Sequence, residues 1–116
     1  MVIGDFNDDP TNNSIMQLVE SHDLFNPMQS LLSYSRGSTS HNFKWNLFDQ
    51  IMFTKNFFET APNTFSFSKA DIFDDDFLKL FNGKYKGKPF RTYIGKKYQG
   101  GYSDHFPVYA ILKKNY

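Results

Sequence analysis

Two polar side chains, two positions apart, follow the first apolar residues of the chain. Asp5 and Asn7 belong to the sequence GDFN at residues 4–7. Residues 2–5 are predicted to form a strand, and alternate side chains of a strand point to one side, so a carboxylate and an amide converge at its end. Gly4 lacks a Cβ, so another group can approach the backbone there. An ordinary Asn/Asp turn after a strand would use the same residues, and both interpretations stay open.

A calcium-binding loop of the EF-hand type is disfavoured at this position. Asp5, Asn7 and Asp9 match the first three odd positions of such a loop. However, Pro10 replaces the glycine that the sharp turn needs, and Met16 replaces the bidentate glutamate.

A second carboxylate, Asp49, interrupts an apolar strand predicted at residues 47–53. A carboxylate in such a strand is costly unless it is paired or hydrogen-bonded. His105 is the natural partner, because an aspartate that accepts from one ring nitrogen sets the tautomer and favours an imidazolium that can neutralise a phosphate. The simpler alternatives are an Asp49 bonded to backbone amides and an ordinary buried histidine.

Asp104 directly precedes His105, and adjacent side chains of a regular strand point to opposite faces. Both can serve one site only at an irregular entry to the last predicted strand, residues 106–112. Gly100 and Gly101, just upstream, permit such an irregularity.

The elements that must position these residues are mostly short strands, with one clear helix. Ser14 is predicted to cap this helix, in which Ile15, Leu18 and Val19 recur at helical spacing. The other predicted elements are strands near residues 39–43 and 65–67 and a short helix at residues 77–81 that Asn82-Gly83 ends.

Two groups of charged residues are open to ordinary interpretations. An acidic group precedes the predicted short helix: Asp71, Asp74, Asp75 and Asp76. Negative charge is favourable at the N-terminus of a helix, so a role in stabilising the helix dipole is preferred to a metal site. The segment from Lys84 to Gly101 contains six basic residues and no acid; it could contact phosphates or form a solvated hairpin. His22 and His41 lack neighbours at metal-ligand spacing, and we assign them no role.

Composition favours one globular unit and excludes several kinds of site. Of 116 residues, 40% are hydrophobic and 19% aromatic, unlike the profile of a disordered chain. The net charge of +1 provides no overall attraction to nucleic acid or anionic membranes. The absence of cysteine rules out disulfides and thiolate chemistry. No transmembrane segment and no targeting signal are recognisable, so the location stays unknown.

Three sequence motifs occur in order along the chain: GDFN at 4–7, WNLFDQIM at 45–52 and SDHFPV at 103–108. Together they resemble the second half of the endonuclease/exonuclease/phosphatase superfamily, whose members share a GD-x-N motif after a strand, an internal D-x-I motif and a terminal SDH-x-P-V motif. The match spans nearly the whole chain. It is most similar to bacterial members known only at superfamily level.

The resemblance implies an α+β fold with mostly antiparallel sheet, namely half of a four-layer αββα sandwich of the DNase I type. It also implies cleavage of phosphate esters by activated water, with Mg²⁺ as the usual metal and Mn²⁺ possible. Asp5 would position or deprotonate the water, Asn7 would orient the water or the phosphate, and Asp49 would hold His105. His105 would bind the scissile phosphate, while Asp104, with Asp5, would contribute to the metal site.

The family's first half supplies an Asn near the first strand, a metal-binding Glu and further phosphate contacts, and none of these has a counterpart here. Residues 1–116 are therefore expected to be the C-terminal half of an endonuclease/exonuclease/phosphatase domain whose N-terminal half is missing. The short strand at the very start fits this expectation, because it reads as the tail of a longer one. The partners expected are that missing half and a phosphate-ester substrate: nucleic acid, a phosphoinositide or a phospholipid head group.

Two other functions stay open from the sequence. The site formed by these polar residues could bind a phosphate or nucleic acid without hydrolysing it. Alternatively, the chain could be an inactive truncated fragment. A metal-dependent rate would separate an enzyme from a binding module, which needs only affinity.

Overall fold

The computed structural model describes all residues from 1 to 116 and contains one α-helix and nine β-strands. The helix α1 covers Asn13–Ser21. The strands are β1 Val2–Asp5, β2 Leu24–Phe25, β3 Thr39–His41, β4 Lys44–Asn46, β5 Asp49–Thr54, β6 Phe65–Ile72, β7 Tyr93–Ile94, β8 Lys97–Tyr98 and β9 Val108–Lys114. Short 3-10 helices cover Pro27–Ser30, Lys55–Phe58 and Asp76–Leu78.

All strand pairs are antiparallel. The central sheet has the order β1-β5-β2, and three two-stranded sheets pair β3 with β4, β6 with β9, and β7 with β8. The fold is therefore α+β with mostly antiparallel strands, consistent with half of a DNase I-like sandwich, as the sequence predicted. The longest helix has nine residues, and no helix combines the length and the hydropathy needed to cross a membrane.

The hydrophobic core lies on one face of β5. Ile51 and Phe53 alternate along that strand and pack with Ile72 of β6, with Phe106 and with the residues Met28 and Leu47. Met52, between the two, is also fully buried and points to the opposite face by the same alternation. Burial of β5 on both faces makes it the rigid element from which the neighbouring polar residues extend.

Helix α1 begins two residues earlier than predicted, at Asn13 instead of Ile15. Asn12 is its N-cap residue, and the hydroxyl of Ser14 instead donates to the carboxylate of Asp8 at 2.6 Å. Asn12 uses its side-chain oxygen to accept the backbone N–H of Asp9 at 2.6 Å. Hydrogen bonds with the preceding loop thus determine which residue caps the helix. Helix propensity alone does not predict these bonds.

The helix predicted at residues 77–81 is reduced to the single 3-10 turn Asp76–Leu78. The acidic group before it does not mainly serve a helix dipole. Arg36 forms a two-pronged contact with Asp74, at 2.7 and 3.0 Å, and a salt bridge to Asp71 at 2.9 Å. Its hydrogen bonds lower the pKa of the Asp74 carboxyl, so this carboxylate stays ionised at neutral pH.

Candidate active site

The central sheet brings two carboxylates to one end. Asp5 is the last residue of β1, Asp49 is the first residue of β5, and the two are paired in register. Carboxylates directly opposite one another on neighbouring strands repel, so the pair needs a positive group nearby. One carboxylate oxygen of each residue and a ring nitrogen of His105 lie within 4.8 Å of one another.

His105 is held in place by a backbone bridge and by hydrogen bonds of its two neighbours to the segment around β3. It forms an isolated antiparallel bridge with Thr39. The hydroxyl of Thr39 donates to the carbonyl oxygen of Asp104 at 2.8 Å, and the N–H of Phe106 donates to the carbonyl oxygen of Ser38 at 2.6 Å. These bonds give the irregular strand entry that the sequence predicted. Regular strand β9 begins only at Val108, because Pro107 has no N–H to donate.

The imidazole of His105 is bonded to Asp49. Its Nδ1 lies 2.7 Å from Oδ2 of Asp49, with the two side chains about one quarter and one fifth exposed. This hydrogen bond raises the pKa of His105, although burial opposes it; the charges of Asp49, Asp104 and Asp5 add to the increase. With Nδ1 engaged, Nε2 is the ring nitrogen that can donate to an anionic ligand.

Substituting Asp49 with asparagine is expected to lower the pKa of His105 measurably. The aspartate stabilises the imidazolium, so the wild-type pKa lies above the ordinary value of about 6.5. The stabilisation is complete below about pH 6.5 and is lost as the pH rises through the folded-state pKa. An NMR titration of the His105 ring protons in both proteins measures the difference, with His22 as the internal reference. An unchanged His105 pKa in Asp49→Asn would show that the hydrogen bond does not control protonation.

Ser38 is a site residue that the sequence analysis missed. Its hydroxyl donates to the same Asp49 oxygen at 2.6 Å, and Ser38 is completely buried. Two donors on one oxygen fix the orientation of the carboxylate. The only sequence signal was a serine after Gly37 in a polar stretch predicted to be a loop, which does not distinguish Ser38 from its neighbours.

The loop after β1 is anchored by another acid, Asp9. One of its oxygens accepts the backbone N–H of Leu47 at 2.8 Å, and the other accepts the side-chain amide of Asn46 at 2.8 Å. The fully buried Gln50 donates to the carbonyl oxygen of Asp8 at 3.0 Å. Asp9 therefore connects the GDFN loop to the segment before β5. Because both of its oxygens are hydrogen-bonded within the chain, Asp5 is the acid of this loop that is available to a ligand.

The position of Asn7 beside the cluster is not due to the alternation of side chains along a strand. Strand β1 ends at Asp5, and Asn7 adopts a left-handed conformation with φ of 54°. Its N–H donates to Oδ1 of Asp5 at 2.9 Å, which is the turn geometry that the sequence had left as the alternative. The same bond steadies the Asp5 carboxylate, and the Asn7 side chain makes no hydrogen bond within the chain.

Asp104 flanks the cluster. It is exposed, its carbonyl oxygen is bonded to Thr39, and its charge contributes to the raised pKa of His105. Its carboxylate is not one of the three groups that lie within 4.8 Å of one another. The structure thus brings Asp5, Asp49 and His105 together and places Asn7 and Asp104 at their edge.

The donor atoms fit a divalent cation on the Asp5 side and an anion on the His105 side. Oδ2 of Asp5 carries no hydrogen bond, and a carboxylate oxygen is the ligand that Mg²⁺ and Mn²⁺ prefer. Oδ2 of Asp49 is already occupied by two hydrogen bonds, and an imidazolium repels a cation. This separation of a cation-binding oxygen from a hydrogen-bond donor suits a phosphate that is held between a metal and a positive histidine.

One of three comparisons with known proteins identifies a family. The sequence profile described as the endonuclease/exonuclease/phosphatase family matches residues 1–114. No curated protein matches the chain, and no solved structure does. Members of the family are generally hydrolases that act on phosphate esters and typically use divalent metals. The match covers all but the last two residues, and the chain belongs to the endonuclease/exonuclease/phosphatase family.

Proposed function

We propose that this chain supplies about half of the active site of a metal-dependent phosphoesterase, which cleaves a phosphodiester or phosphomonoester by attack of water. The observation that carries the proposal is the hydrogen bond between His105 and Asp49 opposite Asp5, with donor atoms of all three within 4.8 Å. One positive and two negative side chains at a strand end match the needs of a phosphate with its metal and its water.

Each residue is given the role that the family resemblance implies. Asp5 would orient or deprotonate the attacking water and, with Asp104, would hold the metal, whereas Asn7 would direct its free amide to the water or the phosphate. Asp49 orients His105, whose Nε2 donates to the scissile phosphate and stabilises the charge that develops there. Bound Mg²⁺, or Mn²⁺ in its place, would neutralise phosphate charge and acidify a water molecule.

Three features support the proposal that a second half completes the site. The cluster offers few free oxygen ligands, whereas Mg²⁺ takes six. Ile3, on the edge strand β1, is 62% exposed and Val2 is 37% exposed, which suits strands that pack against a partner sheet. The radius of gyration is 16.2 Å, above the roughly 13 Å of a compact domain of about this length.

The proposal predicts metal-dependent hydrolysis by a full-length form that includes the second half. With Mg²⁺ present, this protein is expected to hydrolyse at least one member of a panel of nucleic acid, phosphoinositide and phospholipid substrates, and excess chelator is expected to abolish the rate. Asp5→Asn is expected to reduce turnover about 10²-fold or more, because the amide cannot accept a proton.

Asp23→Asn is the matched control, because Asp23 is an exposed acid whose contact is a surface salt bridge to Lys55. Its turnover is expected to equal that of the wild type. Residues 1–116 alone are expected to show little or no hydrolysis. Phosphate binding without any metal-dependent rate in the full-length form would identify a binding module instead, and rapid hydrolysis by residues 1–116 alone would disprove the half-site.

A further inference from the structure

A second cleft lies next to the candidate active site and is not needed for the reaction at His105. It has a volume of about 200 Å³, and its lining includes Ser40, Phe43, Tyr85, Lys88 and Arg91. Ser40 directly follows Thr39, the residue whose backbone pairs with His105. The volume is below the roughly 300–1,000 Å³ of pockets that enclose a whole small ligand, so the cleft suits one part of a larger molecule.

The cations of this cleft have no acidic partners. Lys88 and Arg91, which line the cleft, and Lys84, which lies beside the rings of Phe43 and Tyr85, take part in no salt bridge. No acidic residue lines the cleft. Arg91 is oriented by a hydrogen bond to the carbonyl oxygen of Ser40 at 2.9 Å, and the ammonium group of Lys88 lies 4.2 Å from the ring centre of Trp45. Positive groups that are fixed in place and left without anions form a site for a polyanion.

An aromatic residue at the mouth of the cleft is held in a backbone conformation that suits glycine. Asn42 and Phe43 form the two-residue turn between β3 and β4, with φ of 49° and 62°. Both positions of such a turn need positive φ, and the second strongly favours glycine. Phe43 nevertheless occupies it and is 55% exposed, so the strain is not offset by burial.

The strained turn sets the Phe43 ring parallel to Tyr85. The two ring centres are 5.4 Å apart with an interplanar angle of 15°, and the ammonium group of Lys84 lies 5.6 Å from each ring centre. The result is a stacked pair of aromatic rings whose outer faces are partly open to solvent, with a positive charge beside them. Proteins that bind single-stranded nucleic acid combine these features, because bases stack on the rings and the cations contact phosphates.

We infer that this aromatic cleft, lined by Phe43, Tyr85, Lys88 and Arg91 with Lys84 beside the rings, binds single-stranded nucleic acid, with one unstacked base against an outer ring face and neighbouring phosphates against the cations. Bound in this way, a strand extends along β3 towards His105. The inference rests on the proposed function for its role in catalysis, since it identifies the substrate as a nucleic acid strand. A duplex fits less well, because its bases are stacked on one another.

A lipid head group is the competing ligand, because the same cations attract its phosphates. An inositol ring has no flat π-face that can stack on an aromatic ring, whereas the stacked pair at this mouth leaves outer ring faces open to solvent. A nucleobase has an apolar face that matches it. The aromatic surface therefore favours the nucleic acid strand.

Binding of a fluorescein-labelled oligothymidylate, measured by anisotropy with excess chelator, tests the inference without hydrolysis. Phe43→Gly is expected to weaken binding about 10-fold, as expected for the loss of one stacked base, whereas Phe43→Tyr keeps the ring and is expected to bind as the wild type does. Because glycine suits the turn, Phe43→Gly is expected to fold with a melting temperature close to that of the wild type, which thermal unfolding checks. Lys84→Gln is expected to lower the slope of affinity against salt by about 0.7 for one lost phosphate contact.

The matched controls are Tyr34→Ala and Lys113→Gln, which remove an exposed aromatic ring and an exposed cation outside the cleft. Both are expected to bind oligothymidylate with unchanged affinity. The inference is overturned by wild-type affinity in a folded Phe43→Gly protein, or by a loss that appears only with vesicles containing phosphatidylinositol 4-phosphate. The metal-dependent hydrolysis experiment is separate, so each proposal can fail while the other stands.

Discussion

Replacing His105 with alanine is expected to lower the metal-dependent hydrolysis rate of the full-length protein by about 10²- to 10³-fold. This is the typical effect of removing one donor that stabilises developing charge in a transition state. His105 is suited to such a role because Asp49 holds its Nδ1 at 2.7 Å and raises its pKa, which favours the imidazolium and leaves Nε2–H as the donor to the phosphate. The rate measurement uses saturating Mg²⁺ and a simple phosphodiester.

The loss is expected mainly in kcat, because the hydrogen bond is strongest when charge develops on the phosphate. His22→Ala is the matched control: this histidine lies at the end of α1, and its one side-chain contact is with the carbonyl oxygen of Leu18 at 3.3 Å. It is expected to keep full activity. Near-normal turnover in both His105→Ala and Asp5→Asn would remove both residues from the mechanism.

Gly37→Ala is expected to destabilise the fold by about 1–3 kcal/mol, at the upper end of that range. A Cβ at this position would overlap the carbonyl oxygen of Asn46 and lie 3.0 Å from its carbonyl carbon. Both atoms belong to backbone, which cannot move aside as a flexible side chain can. The carbonyl oxygen of Asn46 also accepts the N–H of Ser38 at 2.9 Å, so the clash would break that hydrogen bond.

The same substitution is expected to affect the site as well as stability. Ser38 follows Gly37 directly, holds Asp49 through its hydroxyl and accepts the N–H of Phe106. A shift of the backbone at this point therefore loosens both Asp49 and His105. Chemical denaturation measures the loss of stability, and NMR of the His105 ring measures the change at the site.

Gly4→Ala is the matched control for stability. A Cβ on Gly4 would have no atom within 4 Å, and its φ lies outside the left-handed region, so alanine is expected to fit without loss. A loss in Gly4→Ala as large as that in Gly37→Ala would show that the close approach to Asn46 is not the cause. The two positions have the same residue type, so a difference between the two variants would come from the surroundings of each glycine.

The arrangement of the site explains why its charges tolerate one another. Asp5 and Asp49 are directly opposite in an antiparallel pair, where like charges are unfavourable. His105 and the hydroxyl of Ser38, which both donate to one Asp49 oxygen, reduce this repulsion. Asp5 keeps one oxygen without an internal partner and is exposed, so the remaining negative charge is directed towards a bound cation.

The sequence by itself determined the chemical types and the order of the site residues. A carboxylate in the apolar strand around Asp49 needed a partner, and His105 was the group that could satisfy it, because an unpaired charge in such a strand is costly. The three motifs also predicted the family, the α+β class and the antiparallel sheet. These features depend on local patterns and on energetic penalties that single residues carry.

Only the tertiary structure decided the contacts between residues distant in the chain. Ser38 as the second donor to Asp49, Asp9 as an anchor for the loop, Arg36 as the partner of Asp74 and the aromatic cleft at Phe43 all join segments that no local pattern relates. A serine in a polar stretch or an acid before a short helix looks the same whether or not such a partner exists. The partner is set by how the sheets pack, because hydrogen bonds and ion pairs act only over a few ångströms.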